Sequence, residues 1–197
     1  MGRNGKVDYS GILAIRDEIE KNFSGQELQS FLDSCAKELA ARLLAKVVKR
    51  TPVGKKPELQ GKKTIKVKGK SGKQRTFLTA EAARLQQYWG GYHGGTLRRG
   101  WTGGQKVKPE DYANGLKVTH SGGTYIIEVV NPVEYASYVE YGHRQTPGRY
   151  VPALGKRLKT GWVKGKFMLT ISEDEIRRDA PRILENKLKK KLGEIFN

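Results

Sequence analysis

The stretch Asn131-Pro132-Val133-Glu134-Tyr135-Ala136-Ser137-Tyr138-Val139-Glu140-Tyr141-Gly142-His143 follows directly on the run Thr124-Tyr125-Ile126-Ile127-Glu128-Val129-Val130. That run is rich in β-branched and aromatic residues, and Asn131-Pro132 stops it because proline has no N–H to give to a ladder. Beyond the proline, Tyr135, Tyr138 and Tyr141 recur every three residues, so on a short helix or turn they form one strip with Val139 beside it. On the other side, Ser121-Gly122-Gly123 joins the run to Leu116-Lys117-Val118-Thr119-His120, an antiparallel hairpin. A hairpin passing through a proline stop into helical spacing predicts an α+β fold. The tyrosine strip itself has two readings: core packing with hydroxyls at the rim, or a partly wet subunit contact.

Outward toward the N-terminus, Ile12, Ile15, Ile19 and Phe23 predict a short amphipathic helix. Ser24-Gly25-Gln26-Glu27 reads as a capping box, and Leu28, Phe31, Leu32, Cys35, Leu39, Leu43 and Val47 mark a second, longer helix ended by Thr51-Pro52. The composition then turns to Lys and Gly. Thr64 to Lys68 and Gln74 to Leu78 flank Gly69-Lys70-Ser71-Gly72, a hairpin on a basic arm too polar to face a deep core. A short helix is expected from Thr79 to Trp89 and a flexible glycine break over Gly90 to Gly95. Toward the C-terminus, Gly142 to Lys166 reads as a basic loop. Ser172-Glu173-Asp174-Glu175 reads as a second capping box opening a long helix through Ile176, Ile183, Leu184, Leu188, Leu192 and Ile195, kinked or split by Pro181. The expected architecture is therefore N-terminal helices, a small antiparallel sheet, a long C-terminal helix and an inserted basic arm, without internal repeats.

The 197 residues suit one domain, and 38 Lys plus Arg against 20 Asp plus Glu give a net charge of +18. Three segments concentrate it: Gly54 to Arg75 at +8, Gly142 to Lys166 at +7 and Ile176 to Leu192 at +5. Such clustering is expected if particular loops face a polyanion, with solvated surface as the bland alternative. No apolar run is long enough for a membrane span, and the basic N-terminus lacks a following apolar region, so assembly in the cytosol is expected. One cysteine and three histidines exclude a disulfide framework and a Cys/His zinc site.

Catalysis finds little support. Gly103-Gly104-Gln105-Lys106 lacks the leading glycine and the Lys-Ser/Thr ending of a phosphate-binding loop. Glu128 has neither the acidic neighbours nor the lysine of a metal-dependent nuclease. Cys35 lies on an apolar stripe, where a thiol behaves as a small hydrophobe. His143 stands beside Glu140 and Tyr141, which could poise a general base, although a hydrogen-bonded structural histidine is the commoner outcome.

The Asn131 to His143 stretch resembles the most recognisable motif of the tail-completion or head-tail joining minor structural proteins of long-tailed phages. The order of the remaining pieces agrees: Thr51-Pro52-Val53 at a helix end, Gly95-Thr96-Leu97-Arg98-Arg99-Gly100-Trp101, the strand pair, Gly161 to Leu169, and a closing helix, over about residues 25 to 195. Residues 54 to 94 depart from it, standing where the family has a short turn, as an insertion in an otherwise single domain of residues 1 to 197. The resemblance implies a ring, sixfold, in the neck at the head-proximal end of the tail, within a virion assembled in the host cytoplasm. It implies neighbouring connector, tube or terminator proteins as partners, and neither catalysis nor a cofactor. Tyr135, Tyr138, Glu140, Tyr141 and His143 are the expected fold or subunit-interface motif. Lys62, Lys63, Lys66, Lys68, Lys70, Lys73 and Arg75 are the expected contacts to channel DNA or an acidic partner. The competing reading is a free protein that binds nucleic acid without sequence specificity.

Overall fold

The computed structural model describes residues 25–121 and 123–195. The helix expected over Ile12 to Phe23 and the capping residue Ser24 lie outside them. The elements in order are α1 (Gly25–Arg50), β1 (Thr64–Lys68), β2 (Gln74–Leu78), α2 (Ala80–Trp89), α3 (Thr96–Gly100), α4 (Pro109–Asn114), β3 (Thr119–Ser121), β4 (Thr124–Ile126), α5 (Ala136–Tyr141), β5 (Gly142–Arg144), β6 (Tyr150–Val151), β7 (Lys156–Arg157), β8 (Trp162–Lys164) and α6 (Met168–Ile195). The fold is α+β, and among the described residues the strands form four two-stranded antiparallel ladders, β1–β2, β3–β4, β5–β8 and β6–β7, in place of one sheet.

The described chain packs as two compact units. One comprises residues 46–106 and 130–171; the other comprises the described parts of 1–45, 107–129 and 172–197. Two of the four boundaries fall inside helices, α1 and α6. In the first unit Val47, Thr51, Ala82, Leu85, Leu97, Trp101 and Met168 are buried. Thr51 organises this core: its hydroxyl donates to the Val47 carbonyl (2.6 Å) and accepts from the Trp101 indole N–H (2.8 Å), while Arg98 donates to its carbonyl at 2.6 and 3.1 Å. A guanidinium on the carbonyl just past a helix C-terminus also complements the helix dipole. In the second unit Cys35, Ala40, Ala41, Leu44, Ala113 and Ile176 are buried. The buried positions of α1 are Cys35, Ala40, Ala41, Leu44 and Val47, and Thr51 follows just past its end. They share Cys35 and Val47 with the expected stripe, whose Leu28 is exposed.

Three boundaries differ from expectation. The β3–β4 ladder has three rungs, from Thr119↔Ile126 to Ser121↔Thr124. Leu116 instead closes the turn after α4, its N–H bonded to the Ala113 carbonyl. The region 142–166 is not a loop but one long irregular hairpin. Gly142 pairs with Lys164, His143 with Val163 and Arg144 with Trp162; bonds linking Gln145 to Gly161 and Arg149 to Leu158 carry it on to Tyr150↔Arg157 and Val151↔Lys156. Finally, α6 begins at Met168, so Ser172 is a buried residue inside it rather than its cap, and Pro181 lies within the continuous helix. The arm is as expected, with Ile65 opposite Phe77 and all ten strand residues exposed.

Candidate functional site

The tyrosine motif turns inward at Glu140, not at its tyrosines. Glu140 is 5% exposed, whereas Tyr135, Tyr138 and Tyr141 are 45%, 58% and 61% exposed, so the core-packing reading of the strip is replaced by a surface one. The Glu140 carboxylate accepts from the Leu169 N–H (3.0 Å), the Thr170 N–H (2.9 Å) and the Thr170 hydroxyl (2.8 Å). The two amides are orphan donors of the first turn of α6. The residue preceding that turn, Phe167, has φ +48 and no side chain able to cap it, so Glu140 does so from α5. Backbone bonds from Lys166 to Val139 and from Phe167 to Glu140 lock the two segments together. Gly142 (φ +88) follows because a Cβ there would meet the Val163 carbonyl of the paired strand.

His143 does not join Glu140 as a catalytic pair, since that carboxylate is committed to the helix. Its ring lies edge-on to Tyr138 (5.9 Å between centroids), and its Nε2 is 3.3 Å from the Gln145 amide nitrogen. Asn131, read from the sequence only as part of a strand stop, anchors the motif. Its amide donates to the Leu97 carbonyl (2.9 Å) and its Oδ1 accepts from the Val133 N–H (3.2 Å). A Cβ at Gly100 would collide with this Asn131 side chain, which explains the glycine of the Leu97 to Trp101 segment. Beside it, Tyr135, Val139, Trp89, Tyr92, Val53 and Leu97 line a groove of about 450 Å³.

The predicted basic contacts are all exposed but do not share one face. In the β1–β2 register Lys66 and Lys68 lie with Thr76 and Gln74, whereas Arg75 lies with Ile65, Val67 and Phe77 on the opposite face. Lys70 is in the turn, and Lys62, Lys63 and Lys73 flank the strands. The charge follows the units. Residues 46–106 and 130–171 carry 23 basic and 4 acidic side chains, a net +19, and the rest of the chain carries 15 and 16, a net −1.

Cys35 is buried and free; burial pushes its thiol pKa up, against the influence of Lys187, so it is not poised as a nucleophile. Among the described residues no group of three or more His, Cys, Asp or Glu could hold a metal ion, and no helix is long and apolar enough to cross a membrane. A polar knot that sequence reasoning missed joins α1 to the β3–β4 ladder. His120 lies 2.7 Å from Asp33 Oδ1 and the Tyr125 hydroxyl donates to Gln29 (3.1 Å), a link between residues about ninety positions apart that no local pattern signals.

In comparison with known families, the model described as "Bacteriophage HK97-gp10, putative tail-component" matches residues 14–142. No curated protein and no solved structure matches the chain. The family match spans well over half of the chain and includes the whole of α1, the groove and the three tyrosines: the chain belongs to the HK97-gp10-like family of phage tail components.

Proposed function

We propose that the chain is a non-enzymatic structural subunit of the phage neck, completing the tail or joining it to the head as a ring, sixfold, at the head-proximal end of the tail. In this reading residues 1–197 act as one neck domain and residues 54–94 are its insertion. The observation that carries it is the exposure of Tyr135, Tyr138 and Tyr141 beside a buried Glu140. Tyrosine-rich surface of this kind is what partly wet interfaces use. Neighbouring connector, tube or terminator proteins, and DNA passing through the channel, are the partners the basic arm would meet.

The test pairs a phage lacking the gene with the purified protein. The deletion is expected to give filled heads and separate tails, and infectious particles would refute the role. Sedimentation of the purified chain is expected to give a closed oligomer that Tyr138→Ser with Tyr141→Ser returns to folded monomer. A monomer in the unmodified protein, with salt-sensitive DNA binding as its sole property, favours the second reading, a free nucleic-acid-binding protein, which the +19 unit supports.

A further inference from the structure

The 142–164 hairpin carries its charge in an order that the arm does not. In the β5–β8 ladder, His143 and Val163 form the partly buried rung, and Arg144 and Trp162 form the exposed one, with Lys164 beside them on the same face. Farther out, in a separate ladder, Tyr150 is paired with Arg157, both exposed, and Lys156 is exposed on the next rung, hence on the ladder's other face. Twice, therefore, an arginine is the cross-strand partner of an exposed aromatic residue, Trp162 at 55% and Tyr150 at 49% exposure, and Arg157 also donates to the Gly148 carbonyl (2.7 Å). No carboxylate occurs anywhere from Gly142 to Lys166.

We propose that the exposed cations and aromatic rings of this hairpin bind the phosphodiester backbone of nucleic acid without sequence readout. Protein interfaces are enriched in arginine and aromatic residues but depleted in lysine at their centres, and here lysines accompany the arginines with no carboxylate to offset them, which favours a polyanion. Arginine matches phosphate with two parallel N–H bonds, and lysine adds point charge. Exposed aromatic rings interleaved with cations are the platform on which splayed bases stack when the strand is single, whereas a duplex is held by its phosphates alone. The surface is separate from the arm and is assayed on the free protein, so it stands or falls independently of ring assembly.

The experiment measures fluorescence anisotropy of a mixed-sequence duplex and of a single strand of the same length against salt. The test variant is the full chain with Arg144→Gln, Lys156→Gln and Lys164→Gln, three exposed positions outside the core. Its expected affinity is about tenfold or more below the unmodified protein's, with the slope of log K on log salt reduced by about 0.9 for each duplex phosphate that the variant no longer neutralises. A Trp162→Ala defect confined to the single strand identifies that form as the stacked ligand, and an equal affinity for both forms of DNA identifies the shared phosphates; both support the assignment. Unchanged affinity and slope in the triple variant overturn it. So does an equal weakening from Lys189→Gln, Lys190→Gln and Lys191→Gln on α6, which would make the effect one of net charge. Competition by polyglutamate as effective as by duplex of equal charge would transfer the surface to an acidic protein.

Discussion

Replacing Glu140 by Gln would leave one acceptor oxygen for three donors at the start of α6 and set an amide NH₂ against them. A buried group bonded through its charge is worth more than a neutral one, and its removal strands donors, so Glu140→Gln is expected to cost about 2–3 kcal/mol in urea unfolding. Tyr138→Ala removes a ring that is 58% exposed and touches His143 edge-on, so its expected cost is within about 0.5 kcal/mol. The reverse ranking would refute this account of the motif. The sequence makes the three-residue spacing of the tyrosines visible but not which member points inward, because the partners of Glu140 lie 29 and 30 positions away. Glu38 offers a second test. Burial opposes its ionisation, but hydrogen bonds from Arg42 and Lys187, with their charges, hold its carboxyl below the ordinary value of 4.5. A folded value lowered in this way contributes stability that is complete above the ordinary value and lost as pH falls through the folded one. Acidification from about pH 6 to pH 3 should lower the urea midpoint of the unmodified protein more than that of Glu38→Gln, with the two curves meeting at the acid end. Parallel curves would remove Glu38 from the acid response.

Among elements, the arm is the most detachable. Both its strands are exposed throughout, and an isolated two-stranded ladder is at best marginally stable in water. Its ends already meet: the Thr79 N–H bonds to the Lys63 carbonyl (3.0 Å), and the Thr79 hydroxyl donates to Lys62 (3.0 Å) and accepts from the Ala82 N–H (3.3 Å). Exchanging residues 64–78 for two glycines should therefore keep α2 capped and change stability by no more than about 0.5 kcal/mol, read by thermal unfolding. A large drop would mean that the arm supports the body. This hairpin is legible in the sequence because its alternation and its Gly-Lys-Ser-Gly turn are local signals. The 142–164 hairpin is not, since its ladders are two or three residues long and separated by Gly and Pro. The start of α6 is misplaced for a related reason: Ser172 to Glu175 has the composition of a cap, but the working cap is Glu140, a tertiary partner. By contrast α4 does leave a local signal, Pro109 at its first turn followed by Glu110 and Asp111.

At the scale of the whole molecule, the three basic segments of the sequence separate into two kinds. The segment Ile176 to Leu192 lies on α6 among acidic residues, with ion pairs such as Lys189 to Glu185 (2.6 Å) and Lys187 to Glu38 (3.0 Å). The arm and the 142–164 hairpin belong to the unit of net +19, whose 23 cations face only 4 carboxylates, one of them the buried and fully engaged Glu140. Like charge at that density opposes the compact state of the unit that holds it. Raising NaCl from about 0.01 M to about 1 M shortens the screening length from roughly 30 Å to roughly 3 Å, which removes most of this repulsion. The same salt also screens the exposed pairs on α1 and α6, but each of those is worth only about 0–1 kcal/mol and some contribute nothing. Repulsion summed over an excess of nineteen charges outweighs them, so the thermal midpoint of the protein alone should rise with NaCl. A short duplex added at low salt should raise it further by binding the folded state, and that increment should vanish at high salt as the phosphate contacts are released. A midpoint that falls as NaCl rises would mean that the ion pairs dominate and that the basic unit tolerates its charge without a polyanion.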